Sequence, residues 1–413
     1  MPTLVPEEQR RFAAAVVRRL REAGFEAYWA GGCVRDELLG LMPKDYDVAT
    51  DATPPQIRSL FGKGRTLAIG AAFGVITVLG SKMAGMVEVT TFRRDAEYSD
   101  GRHPDHVTFS SAEEDASRRD FTVNGLFYDP IDRRVLDFVG GREDLRRRVL
   151  RAIGDPRKRF AEDKLRMLRA VRFIAAFDFH LEAETLAAIR EMAAEITVVS
   201  PERIATEMRR LLTAPRRAKA VRLMLEVGLA TPLLPEIVPP DEIRHQRLDH
   251  ALAVLDRLSR PAFPLALGAL LHELVDPPGA RRVGRRWRLS NRETDRVAWL
   301  VKHRAALSGS PLMRWSALQP LLIAEGIEDL LALHEAASPT GRDDVDHCRS
   351  LLERPPEQLD PPRLLTGDDL RAHGVPSGPR YRTLLQRIRN AQLDEEIHTR
   401  AEALELVDRL LQQ

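Results

Sequence analysis

The fold is decided by the stretch YWAGGCVRD at residues 28–36 and by its continuation PKDYDVAT at residues 43–50. Together they predict a short buried strand, a Gly-Gly turn, one short helix and a second strand that carries Asp45 and Asp47. Side chains alternate between the two faces of a strand, so residues two apart point the same way. We therefore expect these two carboxylates to lie side by side.

The residue types of this stretch suit the binding of a nucleoside triphosphate. Two carboxylates that close repel one another unless a cation lies between them, and hard oxygen ligands favour Mg²⁺. Gly31 and Gly32 lack a Cβ, so their backbone N–H groups can approach a phosphate, and Arg35 can donate to a phosphate oxygen. An isolated D-x-D also fits a solvated strand end, whereas the combined pattern favours phosphoryl or nucleotidyl transfer.

The joined pattern, GGCVRDELLG followed by KDYDVAT, resembles the signature of the class II tRNA nucleotidyltransferase/poly(A) polymerase family. The resemblance is most specific over residues 28–172 and is closest to the bacterial CCA-adding type. It implies an α+β protein with a small mixed α/β head, followed by an all-α neck, body and tail. It also implies Mg²⁺-dependent, template-independent addition of CCA, from CTP and ATP, to the 3′ end of tRNA.

Four domains are expected from this resemblance and from the change to helical patterning after Asp155. They are a catalytic head (1–153), a helical neck with a base-selecting motif (154–213), a helical, RNA-binding body (214–310) and a helical, tRNA-binding tail (311–413). The chain has 413 residues, which is long enough for two to four separate cores.

A second motif, RRDFTVN at residues 118–124, matches the family pattern RRDFT-x-N. Arg and Asn donors beside an Asp acceptor suit ribose hydroxyls and phosphates. By resemblance, Asp120 would contact the sugar, and Arg119 and Asn124 would help to hold the triphosphate. Glu88 lies in the alternating run VEVTTF and is a candidate third acid of the metal site, although it could equally face solvent or hold an arginine.

Base selection is predicted for the segment EDKLRMLR at residues 162–169, where apolar residues recur at helical spacing. On such a helix Asp163 and Arg166 would share one face. Cytosine and adenine each present an amine donor beside a ring nitrogen acceptor, which Asp163 and Arg166 complement; uracil and guanine present the reverse. The alternative is a surface ion pair. The family motif E-D-x-x-R-x-x-R is present and includes Arg169.

The charged segment at residues 93–107 is predicted to be a loop that contains Gly and Pro. In the family that the chain resembles, a loop at this place moves between nucleotide states, and members restricted to adding cytidines lack it. Its presence argues against a cytidine-only enzyme.

Basic residues are concentrated locally, although the formal net charge is only +2. Residues 281–304 hold nine basic and two acidic residues, which favours contact with an RNA backbone over a merely solvated helix face. The candidate contacts are Arg285, Arg286, Arg288 and Lys302. The two tryptophans of this segment, Trp287 and Trp299, are predicted to be core residues.

A second, weaker resemblance concerns His250, His272 and Glu273, which faintly resemble an HD-type phosphohydrolase module. That module has His-Asp where this chain has His272-Glu273, and no downstream Asp at a suitable spacing completes it. We expect a residual fold whose metal ligands have been lost.

The remaining expectations concern location and rival functions. Two cysteines are too few for a disulfide framework, and the chain shows no apolar signal region, so a reducing cytoplasm fits. No membrane or protein partner is evident.

The nearest alternative functions are those of a poly(A) polymerase and of an enzyme that adds only the terminal A. A rival of another class is an RNA-binding protein with an inactive head.

Overall fold

The computed structural model describes residues 5–95, 107–338, 341–376 and 378–412. The chain forms two compact units, Met1–Val238 and Pro239–Gln413. The first contains all the strands that are described, and the second is helical. Within the described ranges, no helix combines the length and the apolar character that crossing a membrane requires.

The first unit begins with the sheet-forming region, whose strands are short. They are β1 Ala27–Ala30, β2 Asp47–Thr50, β3 Thr66–Leu67, β4 Val75–Leu79, β5 Met86–Thr91, β6 Arg93–Asp95, β7 Val107–Phe109, β8 Leu126–Asp129, β9 Arg134–Asp137, β10 Val149–Leu150 and β11 His180–Leu181.

The helices of this unit are α1 Pro6–Glu22, α2 Gly32–Leu38, α3 Pro54–Phe61, α4 Ala112–Ser117, α5 Gly141–Arg147, α6 Pro156–Glu162, α7 Leu165–Phe177, α8 Ala183–Met192, α9 Pro201–Leu212, α10 Arg217–Glu226 and α11 Ala230–Leu233. The second unit contains α12 Glu242–Arg257, α13 Phe263–Leu271, α14 Pro277–Arg286, α15 Asn291–His303, α16 Trp315–Leu322, α17 Ile327–Ala337, α18 Arg342–Leu352, α19 Pro356–Leu359, α20 Gly367–Ala372, α21 Arg380–Leu393 and α22 Arg400–Leu411.

Seven strands form one mixed sheet in the order β3-β4-β5-β2-β1-β8-β9. Only β2 and β5 run parallel within it, and their register places Asp47 opposite Glu88. The sheet with its helices, followed in the described ranges by helices and the two-residue strand β11, confirms the predicted α+β class with a mixed head. The four predicted domain bounds stay a prediction.

Local sequence explains how the head begins. Pro6 opens α1, where its fixed φ suits the first turn, and Val16, Val17 and Leu20 form its buried stripe. Thr53 caps α3 through a capping box with Gln56. The strand β1 between them is buried along its whole length, which accounts for its apolar sequence.

The predicted loop at 93–107 falls partly on described backbone. Its ends form β6 and β7, which pair in antiparallel register. Residues 96–106 of the predicted loop lie outside the described residues.

The long helix predicted after Asp155 is in fact two helices, α6 and α7. Their separation lies at Asp163, which has extended backbone angles (φ −148°, ψ 103°). The apolar stripe continues across the break, since Phe160 in the last turn of α6 and Leu165 at the start of α7 are both buried. The periodicity of apolar residues cannot reveal such a helix break, because the spacing of these residues continues across it.

Each unit contains one cysteine, and both cysteines are free and buried. Cys33 lies in α2, where its thiol donates to the carbonyl of Ala30 at 3.4 Å. Burial raises the pKa of Cys33 to about 12. Cys348 lies in α18 of the second unit. Neither thiol has the exposure or the low pKa of a nucleophile.

Candidate active site

A cavity of about 980 Å³ lies within the first unit, between α2, the start of β2, residues 118–124 and the helices α7 and α9. It brings together eleven residues that sequence analysis assigned to catalysis or nucleotide binding, namely Gly31, Gly32, Arg35, Asp45, Asp47, Arg119, Asp120, Asn124, Asp163, Arg166 and Arg169. Glu88 is the assigned residue of the head and neck that does not line it.

Asp45 and Asp47 flank the buried Tyr46 at the entrance to β2. The strand β2 begins at Asp47, after Asp45, and is therefore shorter than predicted. The alternation of side chains between the two sides of the chain nevertheless extends back to Asp45. Tyr46 points into the core, where its ring lies 4.8 Å from that of Trp29. This packing leaves both carboxylates on the cavity side, as the pattern predicted.

The environment of Asp47 favours a cation. Burial, followed by the negative charges of Asp45 and Glu88, raises the pKa of Asp47 to about 6, and Arg119 opposes the rise. Glu88 lies opposite Asp47 on β5 and is exposed. A buried carboxylate whose ionised form is destabilised by burial and by two nearby carboxylates is a ligand that a hard divalent cation would stabilise.

Gly31 is required by its backbone conformation, and an arginine also lies close to it. Its φ is +73°, and a Cβ there would lie 2.5 Å from Nη1 of Arg119. That guanidinium is held by Asp115 at 3.0 Å and donates to the carbonyl of Asn124 at 3.2 Å. The Gly-Gly turn therefore places a fixed positive charge beside the backbone that starts α2.

A chain of hydrogen bonds connects the head to α7. Arg35 donates to Oδ1 of Asn124 at 2.6 Å, the amide of Asn124 donates to Asp120 at 2.9 Å, and Arg169 donates to the other oxygen of Asp120 at 2.6 Å. Although burial opposes ionisation, Arg169 and Asn124 hold the pKa of Asp120 well below its usual range. The carboxylate of Asp120 is therefore ionised at neutral pH.

Arg35 is held by protein partners within the cavity. Its guanidinium donates to Asp36 as well as to Asn124, and it stacks over Phe177 at 4.3 Å and Phe173 at 5.1 Å. These hydrogen bonds use three of its five N–H groups, which leaves donors for a phosphate. In this structure Arg35 positions Asn124 and packs α2 against α7.

Asp163 and Arg166 both face the cavity, but they do not share a continuous helix face as predicted. Asp163 lies at the break before α7, and its carboxylate accepts from the backbone N–H of Leu165 at 3.1 Å. Arg166, in the first turn of α7, donates to Glu162 and to the carbonyl of Arg159 at 2.9 Å. The helix break moves Asp163 away from the face expected of it, and the pair does not form the surface ion pair of the alternative interpretation.

Sequence reasoning missed several cationic residues of the same cavity. Arg203 on α9 contacts Asp163 at 2.7 Å. Arg172 contacts Glu207, which is buried on α9. The signal that could have revealed them is Glu207 itself, because a glutamate on the face that carries Ile204, Met208 and Leu211 needs a buried cation.

The candidate RNA contacts lie in the second unit. Arg285, Arg286, Arg288 and Lys302 are exposed. Trp287 is buried, as predicted, whereas Trp299 is half-buried. The assignment of these cations to RNA stays a prediction.

A family model described as "Poly A polymerase head domain" matches residues 27–151, and one described as "Probable RNA and SrmB- binding site of polymerase A" matches residues 178–239. The CCA-adding enzyme of Lactobacillus johnsonii is 34% identical over 401 residues, which cover 95% of each chain. The chain belongs to the tRNA nucleotidyltransferase/poly(A) polymerase family.

Other members of this family are similar over different lengths. Poly(A) polymerase I of Haemophilus influenzae is 40% identical over 244 residues, 56% of this chain and 53% of that protein. The crystal structure of the Bacillus stearothermophilus CCA-adding enzyme in complex with CTP covers 98% of each chain, with 29% identity and a TM-score of 0.78. Membership of the family confirms the resemblance on which the sequence analysis relied.

Proposed function

We propose that this chain is a CCA-adding tRNA nucleotidyltransferase, which adds cytidine, cytidine and adenosine from CTP and ATP to the 3′ end of tRNA without a template. One observation carries the proposal: a single cavity contains the acidic pair Asp45 and Asp47 together with Asp163 and Arg166. The first pair suits nucleotidyl transfer, and the second suits selection of a base.

Base selection rests on hydrogen-bond patterns. Asp163 accepts from the exocyclic amine of cytosine or adenine, and Arg166 donates to the neighbouring ring nitrogen. A uracil would oppose its carbonyl oxygen to the carboxylate and its ring N–H to the guanidinium, leaving buried polar groups unpaired. A site with two such partners accepts C and A while it rejects U and G, and it needs no template strand.

The transfer step would depend on Asp45 and Asp47. These carboxylates would hold Mg²⁺, with Glu88 close by, and the raised pKa of Asp47 supports a cation at this position. When bound, the metal would activate the RNA 3′-hydroxyl and neutralise charge on the leaving pyrophosphate. Gly31, Gly32, Arg119 and Asn124 would hold the triphosphate in line with the primer hydroxyl, and Asp120 would orient the sugar.

The decisive experiment uses purified protein, Mg²⁺ and three tRNA transcripts that lack the last three nucleotides, end in CC, or end in CCA. Each is incubated with labelled CTP, ATP or UTP, and the products are resolved at single-nucleotide length. Addition of two C and one A, followed by a stop, is the expected result. Addition of a single A to the CC transcript alone would show an A-adding enzyme instead. Long A tails on any RNA would show a poly(A) polymerase.

Poly(A) polymerase is the second candidate, because the Haemophilus influenzae protein of that name is 40% identical over the region it shares. That similarity covers 56% of this chain, whereas the similarity to CCA-adding enzymes covers 95%, which favours CCA addition. An inactive RNA-binding protein is disfavoured because the acidic pair Asp45 and Asp47 and the base-selecting residue Asp163 are all present in the cavity.

The body and tail would bind tRNA. The cytoplasm is the proposed location, since both cysteines are unpaired.

A further inference from the structure

A second group of ligating side chains lies in the all-helical unit, outside the cavity. It consists of His250, His272 and Glu273, whose ligand atoms all lie within 4.8 Å of one another. No other group of three or more His, Cys, Asp or Glu side chains within the described ranges meets this distance. The sequence analysis predicted instead that this HD-like region has lost its metal ligands.

The backbone fixes His272 and Glu273 firmly. They follow the end of α13, a helix whose residues from Leu265 to Leu271 are all buried. Nδ1 of His272 lies 2.7 Å from the carbonyl oxygen of Ala269, which can only accept, so this nitrogen carries the proton. Nε2 of His272 therefore presents a lone pair, and it lies 4.0 Å from Oε1 of Glu273.

His250 is held in a comparable way from α12. Its Nε2 lies 3.3 Å from the carbonyl oxygen of Ala337, at the end of α17, and its Nδ1 lies 2.9 Å from Oε2 of Glu273. Histidine ligands commonly donate their second ring N–H to a backbone carbonyl, which fixes the tautomer and the ring. Both histidines have such a carbonyl, and both direct the other nitrogen towards Glu273.

We propose that His250 Nδ1, His272 Nε2 and the Glu273 carboxylate form a site for a divalent transition-metal ion of the Zn²⁺ type. At ordinary zinc bond lengths a tetrahedral site separates neighbouring ligand atoms by about 3.3 Å. The observed separations of 2.9 and 4.0 Å bracket that value. Two imidazoles and one carboxylate select Zn²⁺ or Co²⁺ over Mg²⁺.

Two features limit the strength of this site. Burial lowers the pKa of His272, and the nearby positive charge of Arg304 adds to this shift and also opposes a bound metal ion. Three ligands also leave a coordination position open to solvent. We therefore expect weaker binding than at a closed four-ligand structural zinc site. The proposal does not depend on nucleotidyl transfer.

The test is a titration of the full-length protein with Zn²⁺ by calorimetry, in excess Mg²⁺ so that the carboxylates of the head are already occupied. One Zn²⁺ per chain is expected. His250→Ala and Glu273→Gln should each weaken binding about tenfold or more, whereas His245→Ala is the matched control. His245 is exposed on the same helix and is absent from the group.

Co²⁺ supplies a second readout that does not depend on affinity. Its visible absorption should have the intensity of a low-coordinate site with nitrogen ligands, and it should be lost in Glu273→Gln. Circular dichroism of each variant without metal verifies that the helices remain. Wild-type protein that binds no more Zn²⁺ than His250→Ala, or a folded Glu273→Gln that binds as tightly as wild type, would overturn the assignment.

Discussion

The carboxylate of Asp163 lies 2.7 Å from the guanidinium of Arg203, which comes forty positions later on α9. The second carboxylate oxygen accepts from the N–H of Leu165. Asp163 sits at a helix break with extended backbone, so the orientation of its side chain depends on these two donors. Arg203 and one backbone donor together hold the orientation in which Asp163 would accept from a base.

We expect Arg203→Gln to impair base selection more than it impairs folding. Loss of a charge-assisted hydrogen bond costs about 1.5–3 kcal/mol, which corresponds to about a 10–100-fold lower kcat/KM for CTP and ATP. The preference for CTP over UTP should also fall, because Asp163 would no longer be fixed. Single-turnover incorporation of each nucleotide measures both effects.

The matched control is Arg190→Gln, which removes an exposed arginine from an ion pair with Glu226 on the same unit. It should leave both quantities unchanged. An Arg203→Gln enzyme that is folded and retains the wild-type ratio of CTP to UTP would show that Arg203 does not position Asp163.

The raised pKa of Asp47 predicts how activity depends on pH. Protonation of Asp47 removes a metal ligand, so the rate should fall as the pH decreases through about 6. Mg²⁺ competes with the proton for the same carboxylate, and a higher Mg²⁺ concentration should therefore move the midpoint to lower pH. Initial rates of nucleotide addition at several Mg²⁺ concentrations measure this shift; a midpoint independent of Mg²⁺ would contradict it.

The same pKa predicts an effect on stability in the absence of metal. The folded state holds the proton of Asp47 more tightly than the unfolded state, so its stability should fall as the pH rises from about 4 to 6. Asp47→Asn should stabilise the protein at pH 7 by up to about 3 kcal/mol while it abolishes transfer. Denaturant unfolding in EDTA measures the change, and Asp51→Asn, an exposed neighbour, should have no effect.

The Asp120–Arg169 pair should affect the pH dependence of stability in the direction opposite to that of Asp47. Its buried carboxylate has a lowered pKa, so its contribution is complete above the unfolded pKa and is lost only in strong acid. Asp120→Ala leaves the half-buried guanidinium of Arg169 with only its longer contact to Glu207 at 3.8 Å, and it should cost about 1.5–3 kcal/mol. Thermal unfolding measures the loss, and the double variant with Arg169→Ala should recover part of it. Glu143→Ala, in an exposed ion pair, serves as the control.

The RNA assignment of the second unit predicts a change in salt dependence. Arg285→Gln or Lys302→Gln should each reduce the slope of log affinity against log salt by about 1, because each would remove one phosphate contact. Arg11→Gln, on the exposed face of α1, should leave the slope unchanged. Filter binding of tRNA at a series of salt concentrations measures it, and an unaltered slope would remove that residue from the interface.

Local features of the fold could be predicted from the sequence, whereas long-range pairings could not. The strand, the Gly-Gly turn and α2 follow from neighbouring residues. The adjacency of Asp47 and Glu88 depends on pairing between β2 and β5, which no local pattern specifies. The contact of Arg203 with Asp163 joins segments forty residues apart, and the break at Asp163 is concealed by an apolar spacing that continues across it.

The positions of Cys33 and Cys348 give each unit its own internal reporter. Both thiols are buried, and one lies in each unit. A thiol reagent can reach each only when the surrounding helix opens. The rates at which the two residues react therefore measure the opening of the catalytic head and of the all-helical unit separately, in the natural sequence and without an introduced label.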